Sequence, residues 1–406
     1  MKVIASYREL MRIAGPAYIL VAFLGRIPLA MSQMGTLILV GTTTGKYALG
    51  GAAAGGLAIA NAIGAPLAGR LADRIGQRPV VLVQSLIGAL GLVAIVLAVS
   101  NGFHATAVIA ISAGAGFAMP QVGPLARVRW LPITRDAGDQ RRLVDAAFSY
   151  EGAADEASFV LGPALVGALA VIADPSGALI FGAVLLATFG SWFALHPTAE
   201  LAHRESKTVA LGGVLFTVAF VVLAFGQFFV GMIFGGTQTG AAVLATEQGE
   251  PGLAGLIHAT LGIGSVMAGL AVAGLPERIG YETRILVASG GLFVLSLPLL
   301  MVDTVGALIF AVLAFGFAVA PYMISIFALA GHIVPPAKVG TAMTLLAGAT
   351  GVGYAVGSSV AGRLADHGGH TPAFGVTVTA AALAFTSALV FRSRLARASA
   401  AVDAGG

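Results

Sequence analysis

The chain has 406 residues, of which 58% are hydrophobic and 10% are charged, and its formal net charge is +4 at pH 7. An average soluble domain has about 25% charged residues, and a soluble chain of this size could not remove so much apolar surface from water. The composition therefore excludes a soluble enzyme, a nucleic-acid-binding protein and a disordered scaffold, and it indicates a polytopic membrane protein. The 56 glycines and the unbroken apolar runs favour a bundle of closely packed helices over a β-barrel.

Twelve stretches are apolar enough to form membrane-spanning helices, which need about 20 residues each. In chain order, the predicted spans 1 to 12 lie near 13–40, 48–69, 80–100, 105–127, 144–172, 177–195, 209–240, 252–274, 284–302, 305–330, 339–361 and 372–391. The longest polar segments, 131–143 and 196–208, are too short to form a soluble domain. We therefore expect an all-α membrane protein without a soluble catalytic module.

Span 1 carries one ionisable residue, Arg26, about 13 residues from its start and so roughly 20 Å deep. A charged side chain at that depth needs a counter-ion or a polar cavity, which makes it a candidate functional residue. The span is too long for a cleavable signal peptide.

The loop between spans 2 and 3 reads GRLADRIGQR over 69–78. Its candidate functional residues are Gly69, Arg70, Asp73, Arg74, Gly76 and Arg78. Gly69 would allow a close helix contact, and Gly76 would allow a tight turn. Asp73 can accept hydrogen bonds from a helix N-terminus or pair with arginine. The simpler alternative is that the arginines only anchor the topology.

Span 5 carries three carboxyl groups, on Glu151, Asp155 and Glu156. Glu151 and Asp155 share a helix face at a depth compatible with Arg26. Carboxylates this close cannot all stay ionised in a low dielectric, so Arg26 could hold one ionised while another takes up and releases a proton. The alternatives are a static buried salt bridge and a purely substrate-binding role. We expect Asp155 to carry the proton, because Glu156 lies about 100° round the helix from it.

The basic residues are distributed unequally between alternate loops. If the N-terminus is cytoplasmic, the inner segments carry 19 of the 22 basic residues, Arg127 and Arg129 included, and the outer loops carry Lys46 and Arg363. This bias predicts that both termini are cytoplasmic.

The chain also repeats itself weakly. The segment 69–78 aligns with AGLPERIGYE at 273–282, at an offset of 204, and GPALVGALA at 162–170 aligns with GSSVAGRLA at 357–365, at an offset of 195. Both members of each pair fall on the same side of the predicted membrane. The repeats are therefore predicted to be parallel, with six spans each.

The loop 69–78 resembles the signature loop of the major facilitator superfamily, G-x-L-a-D-r-x-G-r-r, except that Gln77 replaces a usually basic residue. The resemblance extends over essentially the whole chain. It implies a secondary transporter with a six-helix half over 1–195, a cytoplasmic linker over 196–208 and a second six-helix half over 209–406. It also implies that the loop latches the two halves together near the start of span 11.

Span 5 resembles the antiporter signature of proton-coupled exporters in that superfamily, G-x-x-x-G-P-x-x-G-G. The corresponding residues are Ser158, Gly162, Pro163 and Gly167, and two glycines of the pattern are replaced, by Ser158 and Val166. Ordinary small-residue packing is the alternative.

Spans 1, 4, 7 and 10 line the central cavity in that superfamily. The resemblance therefore implies four cavity residues, Gln33, Gln121, Gln238 and Tyr322. For each of them an interhelical hydrogen bond is the alternative.

Taken together, these features predict proton-coupled export of a small apolar or amphiphilic molecule, with an importer of a small organic nutrient as the alternative. A membrane enzyme is disfavoured because no HExxH, Cys/His cluster or G-x-S-x-G occurs, and a channel is disfavoured because no pore-loop filter is visible. A non-transporting sensor is disfavoured because it would usually carry a long soluble tail. No Walker loop indicates ATP as the energy source. The expected partners are a small-molecule substrate, protons and the lipid bilayer, without nucleic acid, cofactor or metal. The expected setting is a monomer in a bacterial cytoplasmic membrane.

Overall fold

In lipid, a helix is the simplest solution for a long apolar run, because it satisfies its backbone hydrogen bonds internally. The computed structural model describes residues 2–44, 47–172, 174–202, 214–249, 253–276 and 278–403. Helices dominate this part of the chain, and it contains no strand. Among the described residues, eleven helices are long and apolar enough to cross a membrane, and the apolar part of span 8, Ile257–Val272, is shorter.

The helices follow the predicted order. An N-terminal helix, Lys2–Ala14, precedes span 1 (Pro16–Thr44), span 2 (Tyr47–Ile75), span 3 (Gln77–Ser100), span 4 (Ala105–Ala118 and Val122–Ile133), span 5 (Gln140–Ile172), span 6 (Pro175–Leu185 through Ser191–Leu195), span 7 (Val218–Glu247), span 8 (Ala254–Val272), span 9 (Tyr281–Ser296, continued by Leu297–Met301), span 10 (Val305–Ile333), span 11 (Val339–Gly368) and span 12 (His370–Asp403). We call spans 1–6 the N-terminal half and spans 7–12 the C-terminal half.

Several predicted boundaries differ from the observed ones, and two of the differences have a clear local cause. Span 1 begins at Pro16 rather than near 13, because Gly15 adopts a left-handed φ of 81° that ends the preceding helix. Span 12 continues to Asp403, well past 391, because residues 392–403 are mostly good helix formers. Residues 203–208 of the predicted linker and the predicted start of span 7 at 209 lie outside the described residues.

Span 4 is broken at Met119–Gln121, where Pro120 cannot donate a backbone hydrogen bond. Asn61 of span 2 compensates, because its amide donates to the carbonyl oxygens of Gly116 (3.1 Å) and Met119 (3.0 Å). Gln121 in turn donates to Asn61 Oδ1 at 2.6 Å. The break therefore explains why two amide side chains lie inside the bundle.

The two halves share a packing pattern that supports parallel repeats. A Cβ atom on Gly116 of span 4 would lie 2.0 Å from the Leu57 carbonyl oxygen of span 2. A Cβ atom on Gly316 of span 10 would lie 2.3 Å from the Leu261 carbonyl oxygen of span 8. Each half thus packs its second and fourth spans through a glycine against a backbone carbonyl, at sequence offsets near those of the repeats.

The two halves meet at one end of the bundle, which we call the latch face; it carries loop 69–78, the start of span 5 and the start of span 11. There, Arg284 of span 9 lies 2.8 Å from Asp145 of span 5, and both side chains are buried. Near the C-terminal end of span 7, which lies away from the latch face, a cavity of about 450 Å³ is lined by Gln238, Thr239, Ala242, Val243 and Glu247. The structure is therefore closed at the latch face.

Candidate transport site

The intramembrane arginine predicted from span 1 pairs with two carboxylates of span 5. Arg26 is 4% exposed; its Nη2 lies 2.5 Å from Glu151 Oε2 and its Nη1 lies 2.8 Å from Asp155 Oδ1. Its Nε donates to the Ala22 carbonyl oxygen at 3.0 Å. The structure thus brings Arg26, Glu151 and Asp155 together, as their depths and spacing predict.

A second arginine belongs to the same cluster. Arg127 is 1% exposed, and its Nη2 lies 2.8 Å from Asp155 Oδ2. The Arg127 guanidinium also lies 4.3 Å from the ring centroid of Phe327, on span 10 of the other half. The assignment of Arg127 to an inner loop is therefore wrong, because span 4 resumes after its break and continues to Ile133.

Both carboxylates of this cluster use both of their oxygen atoms as acceptors. Glu151 Oε1 accepts from the Trp130 indole at 2.6 Å, and its Oε2 accepts from Arg26. The two oxygens of Asp155 are shared between Arg26 and Arg127. Two cations and two carboxylates form a network of balanced formal charge in which Asp155 alone is partly exposed, and such pairing is what makes buried charge tolerable.

The third predicted carboxyl group is not part of that network. Glu156 is 6% exposed and faces Ser265 of span 8, in the other half. In the described part of the chain no basic side chain pairs with it. Helical rotation separates the two neighbours, so that Asp155 faces the arginines and Glu156 faces the opposite half.

Arg129 is a further buried arginine that was assigned to an inner loop and instead lies inside the bundle. Its Nε donates to Gln77 Oε1 at 2.9 Å, and its Nη1 donates to the Phe193 carbonyl oxygen at 2.7 Å and Thr198 Oγ1 at 3.1 Å. Its guanidinium stacks 3.6 Å from the Phe193 ring centroid. Without Arg127 and Arg129, the inner segments still carry 17 basic residues, against two in the outer loops. The predicted orientation is therefore unchanged.

Loop 69–78 contacts the start of span 11. Asp73 Oδ1 accepts from the Gly340 amide at 3.0 Å, and its Oδ2 accepts from the Thr341 amide at 2.8 Å and hydroxyl at 2.6 Å. A Cβ atom on Gly69 would lie 2.2 Å from Thr344 Oγ1. The carboxylate therefore lies at a helix N-terminus, where backbone amides and the helix dipole favour a negative charge.

The remaining loop residues have simpler surroundings. Gly76 has a left-handed φ of 94°, which glycine adopts without strain, and it joins spans 2 and 3. Arg70 and Arg74 are exposed. Arg78 pairs with Glu200 at 2.7 Å on the surface.

The antiporter-like residues of span 5 divide into two kinds. Gly162 packs against span 1, because a Cβ atom there would lie 2.6 Å from the Cβ of Ala30. Ser158 bonds to the Ala154 carbonyl oxygen of its own helix, and Pro163 lies inside that helix. A Cβ atom on Gly167 would have no neighbour within 4 Å. Of these four residues, only Gly162 is thus tightly constrained by helix packing.

The four predicted cavity residues are not equivalent. Gln238 lines the cavity of span 7 and accepts a short hydrogen bond from the Tyr354 hydroxyl. Gln33 and Gln121 are partly exposed, whereas Tyr322 is buried. The hydrogen bonds of Gln121 and Gln238 fit the interhelical alternative, and they leave both side chains partly accessible.

The chain matches the family model described as the Major Facilitator Superfamily, over residues 17–305 and 223–404. The fold predicted from the sequence, an all-α membrane protein of twelve helices in two parallel halves, is confirmed. No curated protein matches the chain.

Solved structures resemble it over almost its whole length. The human organic anion transporter MFSD10 (TETRAN) is 20% identical, covering 93% of this chain and 97% of that chain with a TM-score of 0.67. A bacterial homologue of the iron transporter ferroportin in an outward-facing state is 14% identical, covering 93% and 98% with a TM-score of 0.71. The proton:xylose symporter XylE is 15% identical, covering 93% and 95% with a TM-score of 0.69. At these identities the likeness shows a common fold.

Proposed function

The chain belongs to the major facilitator superfamily, and we propose that it is a proton-coupled secondary transporter that exports a small apolar or amphiphilic molecule. The observation that carries the proposal is the buried group of ionisable residues in the N-terminal half, on spans 1, 4 and 5. Buried charges in membrane spans are expensive, and they mark ion and proton pathways. The contacts between the halves at the latch face, and the cavity near the opposite end of span 7, fit one state of the alternating-access cycle that such transporters use.

The proposed orientation places the latch face in the cytoplasm. Exposed arginines gather at that face, including Arg70, Arg74 and Arg278, as expected for a cytoplasmic surface. In this orientation Asp73 holds the cytoplasmic ends of the halves together. We extend the proposal to a monomer in a bacterial cytoplasmic membrane, with halves at 1–195 and 209–406 joined by the linker 196–208.

Export is favoured over import by two features. Gly162 in the antiporter-like segment lets span 5 pack directly on span 1, the helix that carries Arg26. The cavity of span 7 includes the apolar side chains of Ala242 and Val243. The importer alternative is favoured by the partly exposed amides of Gln33, Gln121 and Gln238, which suit a polar nutrient.

The test begins with a ligand screen on the purified chain, read as a thermal shift. A hit is then offered to everted membrane vesicles with an acidic lumen. An exporter that exchanges its substrate for protons will accumulate it in these vesicles, and a protonophore will abolish the accumulation. A proton-coupled importer will accumulate it only in right-side-out vesicles under an acidic exterior. Flux that does not depend on the proton gradient in either preparation would contradict proton coupling.

A further inference from the structure

The two carboxylates of the charged cluster have no place for a proton in the observed arrangement. All four oxygens of Glu151 and Asp155 accept from Trp130, Arg26 or Arg127. A protonated carboxyl group must donate one hydrogen, and each of these oxygens already faces a donor. The cluster is also electrically balanced, so protonating either residue would leave an arginine in excess.

Glu156 has the opposite surroundings. The charged group nearest to it is Asp155, on its own helix, and the polar group that faces it from span 8 is Ser265. Ser265 Oγ is buried and has no hydrogen-bond partner among the described residues. No other titratable or charged group faces Glu156 in the described part of the chain. A carboxyl group and a hydroxyl group therefore face each other across the boundary between the two halves.

Close packing on both sides encloses this pair. A Cβ atom on Gly262 would lie 2.4 Å from the side chain of Val160, one turn beyond Glu156. A Cβ atom on Gly269 would lie 3.8 Å from the Cβ of Ala153, one turn before it, and 3.4 Å from Ile324 of span 10. Gly262 thus lets span 8 lie directly on span 5 on one side of Ser265, and Gly269 is in ordinary van der Waals contact with span 5 on the other side. Separation of these spans would expose Glu156 to water.

We propose that Glu156 takes up a proton when spans 5 and 8 close over it at the latch face, so that closure of this interface is coupled to protonation. Glu151 and Asp155, whose oxygens all face donors, hold spans 1, 4 and 5 together. In the closed state the carboxyl group facing Ser265 is neutral, because a lone buried carboxylate would be costly there. When the latch face opens, Glu156 returns its proton to water at that face. This assignment rests on the proposed proton coupling, and it makes Glu156, in place of Asp155, the residue that gains and loses a proton.

The closing experiment measures the latch face directly. The chain contains no cysteine, so spin labels can be placed at Pro79→Cys and Arg278→Cys, two exposed positions on opposite halves. Distances are measured by pulsed electron paramagnetic resonance in lipid nanodiscs between pH 5 and 9. In the otherwise unchanged chain, we expect a short distance at low pH and a longer one at high pH. In Glu156→Gln, which mimics the protonated form, we expect the short distance at every pH.

Two further variants guard against a merely structural effect. Glu156→Asp keeps a titratable group and is expected to keep the pH-dependent transition. Glu156→Gln combined with Ser265→Asp moves the carboxyl group across the interface, and it is expected to restore the transition that Glu156→Gln loses.

The outcomes separate this inference from the proposed function. A pH-dependent distance that survives Glu156→Gln would overturn the assignment of Glu156, even if proton-driven flux is observed. A distance independent of pH in the unchanged chain would overturn it as well. If vesicles show no proton-driven flux while the distance still depends on pH through Glu156, the proposed function fails and the role of Glu156 in closing the latch face stands.

Discussion

Arg129 and Gln77 are hydrogen-bonded inside the bundle, with Arg129 Nε 2.9 Å from Gln77 Oε1. Both side chains are buried, and no carboxylate pairs with Arg129 in the described part of the chain. A basic residue at position 77, which the superfamily signature usually has, would place a second cation against Arg129. The amide at 77 and the arginine at 129 therefore form a matched pair.

This pairing predicts the effect of restoring the signature. We expect Gln77→Arg to lower the stability of the chain by about 3 kcal/mol, the scale for an uncompensated buried charge. The double variant Gln77→Arg, Arg129→Gln should recover most of the loss, because one cation and one amide remain. Thermal unfolding of the purified variants measures both. As a control, Arg78→Gln breaks only the exposed pair with Glu200 and should cost less than about 1 kcal/mol. Equal stability of Gln77→Arg and the unchanged chain would show that position 77 tolerates a second cation beside Arg129.

The second prediction concerns the arginine of span 4. Arg127→Gln removes one of the two cations that hold Asp155, and Asp155→Asn removes the carboxylate that Arg127 needs. Each single variant is expected to be destabilised, and the double variant less than the sum, with a coupling of about 0.5–3 kcal/mol. Arg392→Gln, an exposed change near the C-terminus, serves as the control. Strictly additive losses would mean that the 2.8 Å contact contributes nothing to stability.

The sequence predicts the helices well, because apolar runs in lipid allow little else. It also predicts that Arg26 meets span 5, since a deep charge needs a partner, and that Asp73 lies near span 11, since the loop resembles a known signature. It does not reveal Arg127, because the predicted span 4 ends at 127, whereas the helix continues to Ile133 and holds Arg127 inside the bundle. The rotation of a helix can be read from spacing, and it separates Asp155 from Glu156. Which residues Asp155 and Glu156 contact, by contrast, depends on how spans 4 and 8 pack against span 5.

The third prediction tests the contact between Asp73 and span 11. Asp73→Asn keeps the size of the side chain, removes its charge and replaces an oxygen that accepts two hydrogen bonds from Thr341. We expect transport to fall at least about tenfold, which corresponds to roughly 1.4 kcal/mol, while the amount of protein in the membrane stays unchanged. Flux in vesicles, normalised to the amount of protein, is the measurement. Arg74→Gln changes an exposed charge one residue away and is the matched control. Unchanged transport by Asp73→Asn would show that the contact between Asp73 and span 11 is not needed for transport.

The last prediction separates the two glycines of the antiporter-like segment. Gly162 and Gly167 lie on the same helix, so replacing either with alanine has a similar effect on helix propensity. They differ in their neighbours: a Cβ atom on Gly162 would lie 2.6 Å from the Cβ of Ala30, and one on Gly167 would meet nothing within 4 Å. Gly162→Ala must therefore push span 5 away from span 1 at Ala30, which is one helical turn from Arg26. This displacement would lengthen the contact between Arg26 and Asp155. We expect a severalfold loss of proton-driven flux in Gly162→Ala and none in Gly167→Ala, measured in the same vesicles. If both variants transport normally, the spacing between spans 1 and 5 does not limit transport. If Gly167→Ala alone is impaired, the segment acts through a surface that is open in this closed-latch structure.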